Sequence, residues 1–195
     1  MTDSKLAKYV VIVAASLIIL TAFVVLKKDN EKPPVVSKVG RNIIIGDSHG
    51  VGISFITKNA KAESGLAKSG WTLSNVLNAL KTKGVDNSVA RVFISIGTNG
   101  QFSSKDDINT FVNTIKEKFP DASIYVYGGS YGWSGSTSRA TLESRFAQYY
   151  KRFKDAGVYV LNSKLGYFKT DAEAHSVKTP QAKDIANEID SLSLK

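Results

Sequence analysis

The sequence predicts an α/β fold: three layers, α/β/α, around a central parallel sheet of about five strands, preceded by one transmembrane helix. Three observations carry this. Short β-branched runs alternate with stretches of helical apolar spacing from residue 41 onward. Most of those runs stop at small polar residues and glycines, as strands entering loops do. Ahead of them, residues 9–26 form a continuous uncharged apolar run.

The elements follow in chain order. Residues 1–8 are a short N-terminal tail. The stretch from Tyr9 to Leu26 carries no polar face, so a buried core helix is a poor description of it. As a helix it is about 27 Å long, close to the ~30 Å hydrocarbon core, with Lys5, Lys8, Lys27 and Lys28 at its ends. It ends in Val24-Val25-Leu26-Lys27-Lys28 with no small-x-small cleavage site, which favours a retained anchor over a signal peptide. The expected partner of residues 9–26 is therefore a lipid bilayer, crossed once. Lys27, Lys28, Lys32, Lys38 and Arg41 outnumber Lys5 and Lys8, a bias toward a cytoplasmic C-terminal domain. That rule weakens where the flank belongs to a folded domain, so the side stays open, with the cell envelope and the membrane of a virus particle both admitted. Residues 27–40, with Pro33-Pro34 and mixed charge, read as a stalk.

Residues 41–195 form the globular domain. Strands are predicted at Arg41 to Asp47, Val89 to Ile96, Ala122 to Tyr127 and Val158 to Leu161, with a further short one between Lys58 and Ala67. Helical spacing links Leu73, Val76, Leu77 and Leu80; then Ile108, Phe111, Val112, Ile115 and Phe119; then Leu142, Phe146, Tyr150 and Phe153. Ser104 and Asp107 resemble a capping box for the second of these helices, and Gly157 is placed to stop the third. Thr179 and Pro180 open a last helix as N-cap and first residue. Strands alternating with helices imply right-handed crossovers and a parallel sheet covered on both faces, with a site beyond the carboxyl ends of the strands.

Composition narrows the chemistry. The chain of 195 residues has no cysteine, which removes thiolate chemistry and Cys-rich zinc sites. No His or carboxylate cluster suggests a metal, and no cofactor is implied. The net charge of +9 is spread over predicted helix surfaces, at Lys81, Lys83, Lys116, Lys118, Lys151 and Lys154, without aromatic interleaving. A solvated basic surface is the better reading, and no nucleic acid is expected as a partner.

The residues at the strand ends are more specific. Ile43-Ile44-Ile45 stops at Gly46-Asp47-Ser48, delivering a serine to the sheet edge. A serine hydroxyl needs a base and oxyanion donors before it is a nucleophile, and the chain has only His49 and His175 to offer. The loop Gly97-Thr98-Asn99-Gly100 presents a side-chain amide, Ser69-Gly70-Trp71-Thr72 a glycine amide, and Thr170 to His175 the second histidine. A serine in the position of Ser48 alone reads as a helix N-cap; together with His175 and Asn99 it reads as a nucleophile. Asp47 reads as a structural residue of the turn.

These four blocks, in this order, resemble the SGNH (GDSL-type) hydrolases, over residues 41 to about 193. The resemblance implies a flavodoxin-like fold and an esterase activity. It implies Ser48 as nucleophile, His175 as base, and an oxyanion hole made of the Ser48 N–H, the Gly70 N–H and the Asn99 side-chain amide. The family's acid sits three residues before the histidine, where this chain has Ala172. Asp171 is one residue early and Glu173 one late; a one-residue bulge would restore Asp171, or a backbone carbonyl would orient the imidazole. Gly100 follows Asn99 where many relatives have Asp.

His49 reads as pocket lining, and Trp71, Tyr131 and Trp133 as a sugar platform, with Gly128 to Gly135 as a flexible aromatic loop. The alternative for that loop is aromatics packed on the domain. The reading that results is a membrane-anchored serine esterase acting on an O-acyl ester, acetyl foremost, of a carbohydrate or cell-envelope glycan. The rivals are a lipase or thioesterase of the same family, and a non-catalytic structural or glycan-binding protein that keeps the fold.

Overall fold

A computed structural model describes residues 39–133 and 137–193. The expected tail, the apolar segment 9–26 and residues 27–38 of the stalk lie outside the described residues. Among the described residues no helix is long and apolar enough to cross a membrane.

Five parallel strands form one sheet: β1 (Arg41–Gly46), β2 (Lys61–Ala67), β3 (Val89–Ser95), β4 (Ser123–Tyr131) and β5 (Tyr159–Tyr167), in the order β2-β1-β3-β4-β5. The helices are α1 (Ser48–Ser54), α2 (Leu73–Thr82), α3 (Ile108–Lys118), α4 (Arg139–Asp155), α5 (Asp171–Ala174) and α6 (Pro180–Ser193), with a 3-10 turn at Thr98–Gly100. The chain passes from β1 to one side for β2 and then to the other for β3. Ligands of such sheets bind where the strand order reverses, here beyond the carboxyl ends of β1 and β3.

Strand side chains alternate between two cores, which is why the strands are apolar at successive positions. Ile43, Ile45, Val92, Ile94 and Val126 face α2, α3 and α4 through Val76, Leu80, Phe111, Ile115 and Phe153. Ile44, Phe93, Tyr125 and Tyr127 face the other layer, where Ile53 of α1 and Ile185 and Ile189 of α6 cover them. Ile44, Phe93, Tyr125 and Tyr159 are register partners across four strands. Their aromatic members pack ring on ring, 5.1 Å for Phe93 with Tyr125 and 5.6 Å for Tyr125 with Tyr159. The three-layer expectation is met.

Local signals set several helix ends. Thr179 Oγ1 accepts from the Ala182 N–H at 3.2 Å, with Pro180 as the first helical residue. Gly157, at φ +81°, ends α4: its N–H donates to Lys154 O and that of Val158 to Phe153 O, the paired bonds of a Schellman stop. The expected capping box at Ser104 is not what starts α3. Asp107 is the N-cap, accepting from the Thr110 N–H at 2.9 Å and the Thr110 hydroxyl at 2.7 Å, because a carboxylate satisfies two donors at once.

Two strands run longer than expected. β4 continues through Gly128 to Tyr131, the residues read as a flexible loop. Gly128 and Gly129 are there because neighbours crowd them. A Cβ on Gly128 would meet the Phe146 ring, and one on Gly129 the Thr98 hydroxyl. β5 likewise extends to Tyr167, paired with Tyr131.

Candidate active site

The serine is delivered by a turn that requires glycine. Gly46 has φ +134°, and a Cβ there would fall on the Ser95 carbonyl of β3. That carbonyl accepts the Asp47 N–H at 2.9 Å. The Asp47 side chain turns inward, fully buried, and caps α1: Oδ1 accepts from the His49 N–H at 3.1 Å and the Ser95 hydroxyl at 2.8 Å. Burial, opposed by these bonds, raises its pKa to about 6. Asp47 is thus the structural residue expected, and Ser48 is the first residue of α1, half-buried at the sheet edge.

His175 arrives from 127 positions along the chain, and its Nε2 lies 3.0 Å from Ser48 Oγ. It caps the carboxyl end of α5, a single turn opened by Thr170, whose hydroxyl accepts from the Glu173 N–H at 3.2 Å. That turn answers the displaced acid. Residues i and i+4 meet on a helix as readily as i and i+3, so no bulge is needed. His175 Nδ1 lies 3.1 Å from Asp171 Oδ1 and 3.0 Å from the Asp171 backbone carbonyl. The carboxylate and the carbonyl that sequence treats as alternatives both come from Asp171. Both are acceptors, so Nδ1 carries the proton and Nε2 presents its lone pair to the serine hydroxyl. Glu173 supplies its backbone N–H to the cap.

The loops after β1, β2 and β3 are stitched together. Lys68 N–H donates to Gly46 O at 3.0 Å, and Asn99 Nδ2 donates to Trp71 O at 2.9 Å. One of the two Asn99 amide hydrogens is committed to that bond, leaving the other. Gly70, exposed and at φ +78°, lies between the two stitches.

Among the expected binding residues, Tyr131 needs correction. Tyr131 is 7% exposed, with its ring against Phe102, Phe146 and Tyr167. As the last residue of β4 it points into the core, so it offers no sugar platform. Trp71 packs, partly buried, against the core covered by α2, α3 and α4, and Trp133, also partly buried, against the opposite core. Trp133 stands edge-on to His175, with ring centres 5.9 Å apart. His49 is 4% exposed and lies behind His175, with ring centres 4.7 Å apart and planes at 22°. It lines the small pocket beside Ser48 and His175. Burial, and then the charge of His175, lowers its pKa to about 3.

Sequence reasoning missed Ser130, whose hydroxyl sits 2.5 Å from His49 Nε2. Its only signal was a small polar residue inside a run read as loop. The cavity beside Ser48 and His175 is small, about 10 Å³, and walled by Gly52, Ile53, Leu165 and Val177.

No protein-family model matches the chain, and no curated protein sequence does either. Solved structures do. A GDSL-like lipase from Bacteroides thetaiotaomicron is 14% identical over 87% of this chain and 95% of its own, with a TM-score of 0.55. The peptidoglycan O-acetyltransferase A C-terminal catalytic domain of Streptococcus pneumoniae is 14% identical over 80% of this chain and 91% of its own, at 0.49. A member of the lipolytic G-D-S-L family from Veillonella parvula is 14% identical over 79% and 96%, at 0.47. The likeness to the Bacteroides structure establishes the fold.

Proposed function

We propose that the protein is a serine esterase that transfers a short acyl group, acetyl foremost, from an O-acylated carbohydrate to water. The observation that carries this reading is the contact between Ser48 Oγ and His175 Nε2 at 3.0 Å, with Nδ1 held by acceptors alone. As the Ser48 oxygen attacks the ester carbon, its proton passes to Nε2. Negative charge then develops on the carbonyl oxygen, where the Ser48 N–H, the Gly70 N–H and the free hydrogen of the Asn99 amide are its donors. The carbon–alkoxide bond breaks, the leaving alcohol takes the proton from His175, and an acyl-Ser48 ester remains. Water, deprotonated by His175, releases the acid and restores the serine.

The Ser-, Gly- and Thr-rich loops beside Ser48 favour acetyl over a long acyl chain, since apolar chain atoms gain binding energy only where they leave water. Residues 9–26 tether this activity to a bilayer in the same reading, as a single-pass anchor.

The test uses the full chain in detergent. Wild type is expected to hydrolyse p-nitrophenyl acetate well above p-nitrophenyl octanoate, and Ser48→Ala to abolish both. Full activity in Ser48→Ala refutes the serine. Octanoate preference would transfer the reading to a lipase. A wild type that neither hydrolyses esters nor labels with a fluorophosphonate would be a non-catalytic module on this fold.

A further inference from the structure

The base of this site is poorly held by its own element. His175 is 37% exposed and Asp171 70%, on a helix of one turn. Two contacts from Asp171 fix Nδ1 but leave the ring plane free to swing about that atom. Misplacement of a reacting group by 1 Å costs about a hundredfold in rate, so the plane needs a second support.

That support is visible on one face of the ring. His49 follows Ser48 directly in α1 and lies against His175, nearly parallel, with ring centres 4.7 Å apart. Its own rotation is set from the sheet: Nε2 is 2.5 Å from the hydroxyl of Ser130, a fully buried residue of β4. The Ser130 N–H donates to Thr98 Oγ1 at 3.1 Å, and Thr98 precedes Asn99. Trp133 closes the arrangement edge-on, 6.4 Å from His49 and 5.9 Å from His175. The rings thus join an exposed one-turn helix to the buried end of β4.

We propose that His49 is a positioning residue: a buried flat shelf that sets the plane of the His175 ring, with Ser130 fixing the shelf's own rotation. This rests on the reading of Ser48 and His175 as a hydrolytic pair. The shelf suits a base that becomes cationic. Burial keeps His49 neutral at the pH of ester hydrolysis, so its face attracts the imidazolium formed on His175. A flat ring constrains the plane of its neighbour; an aliphatic side chain of similar volume fills the space without doing so.

The experiment compares His49→Leu, His49→Phe and Ser130→Ala in the full chain in detergent. Each is measured for kcat and KM on p-nitrophenyl acetate, for thermal unfolding, and for the NMR positions of the His175 ring protons, which feel the ring current of whatever lies over them. His49→Leu should lose about 10- to 100-fold in kcat with KM within about twofold, and its His175 ring protons should move. His49→Phe, which keeps the flat face, should stay within about fivefold of wild type. Ser130→Ala, which frees the shelf but leaves both rings, should lose about fivefold. Full kcat in His49→Leu, unmoved His175 resonances in it, or an equal loss in a folded His49→Phe overturns the proposal. Should His49→Leu unfold, Ser130→Ala decides: unchanged kcat with unchanged His175 resonances overturns it. A wild type without esterase activity whose His175 resonances still respond to His49→Leu leaves the shelf standing and removes the functional reading instead.

Discussion

Replacing Asp171 with alanine is expected to lower kcat only about fivefold, where loss of a buried triad carboxylate costs about ten-thousandfold. The difference follows from where Asp171 sits. Its side chain is 70% exposed and meets His175 Nδ1 at 3.1 Å. Two unit charges at that distance attract by about 1.3 kcal/mol in water, and exposed ion pairs are worth about 0.2–1 kcal/mol when measured. Taking the upper end, the imidazolium of the transition state loses about 1 kcal/mol, or about a factor of five in rate. The tautomer survives the substitution. The Asp171 backbone carbonyl, 3.0 Å from Nδ1, still accepts its proton and keeps the Nε2 lone pair on Ser48. The assay is kcat and KM on p-nitrophenyl acetate for wild type, Asp171→Asn and Asp171→Ala at low salt and at high salt. Screening should shrink the gap between wild type and Asp171→Ala, with KM unaffected. A loss of about a thousandfold or more, insensitive to salt, would show that the carboxylate alone orients the base and would refute the reasoning.

Two further predictions concern the elements that present the site. Asp47 has a folded pKa of about 6 against an ordinary 3.8, so the folded state holds the proton more tightly. Its contribution is fully present below pH 3.8 and is lost as pH rises through 6, a decline of about 3 kcal/mol at most. Asp47→Asn cannot ionise, so its stability relative to wild type should rise between pH 4 and pH 8; urea melts showing the same difference at both would contradict this. Gly129→Ala places a methyl on the Thr98 hydroxyl and within 3.3 Å of Tyr150 Oη, and should destabilise by about 1–3 kcal/mol. Gly84→Ala, with open space around it, should change stability by no more than about 0.5 kcal/mol, and equal denaturation midpoints for the two would count against the packing argument.

Much of the framework was legible because it depends on near neighbours in sequence. β-branched runs alternating with helical spacing gave five strands in the right places, and Thr179, Pro180 and Gly157 marked ends that the backbone obeys. One such mark failed. Ser104 and Asp107 read together as a capping box, and only the folded loop shows Asp107 itself as the cap, its carboxylate taking both Thr110 donors. Glycines misled for a related reason. Gly128 and Gly129 signal a loop when read locally, yet they serve close packing against Phe146 and Thr98, partners that belong to other elements.

By itself the sequence determined the layered α/β architecture, the serine at the end of β1 and the candidate histidine, His175, that the fold brings to it, since each rests on periodicity, turn chemistry or the scarcity of candidates. Only the tertiary structure decided how that histidine is held. One turn of helix puts both Asp171 acceptors on Nδ1, β4 carries Ser130 to His49, and His49 lies flat against His175. Tyr131 was turned inward by the same strand. These are contacts between residues tens of positions apart, or rotations within a single turn. Their geometry comes from the packing of the two cores and leaves no periodic trace along the chain.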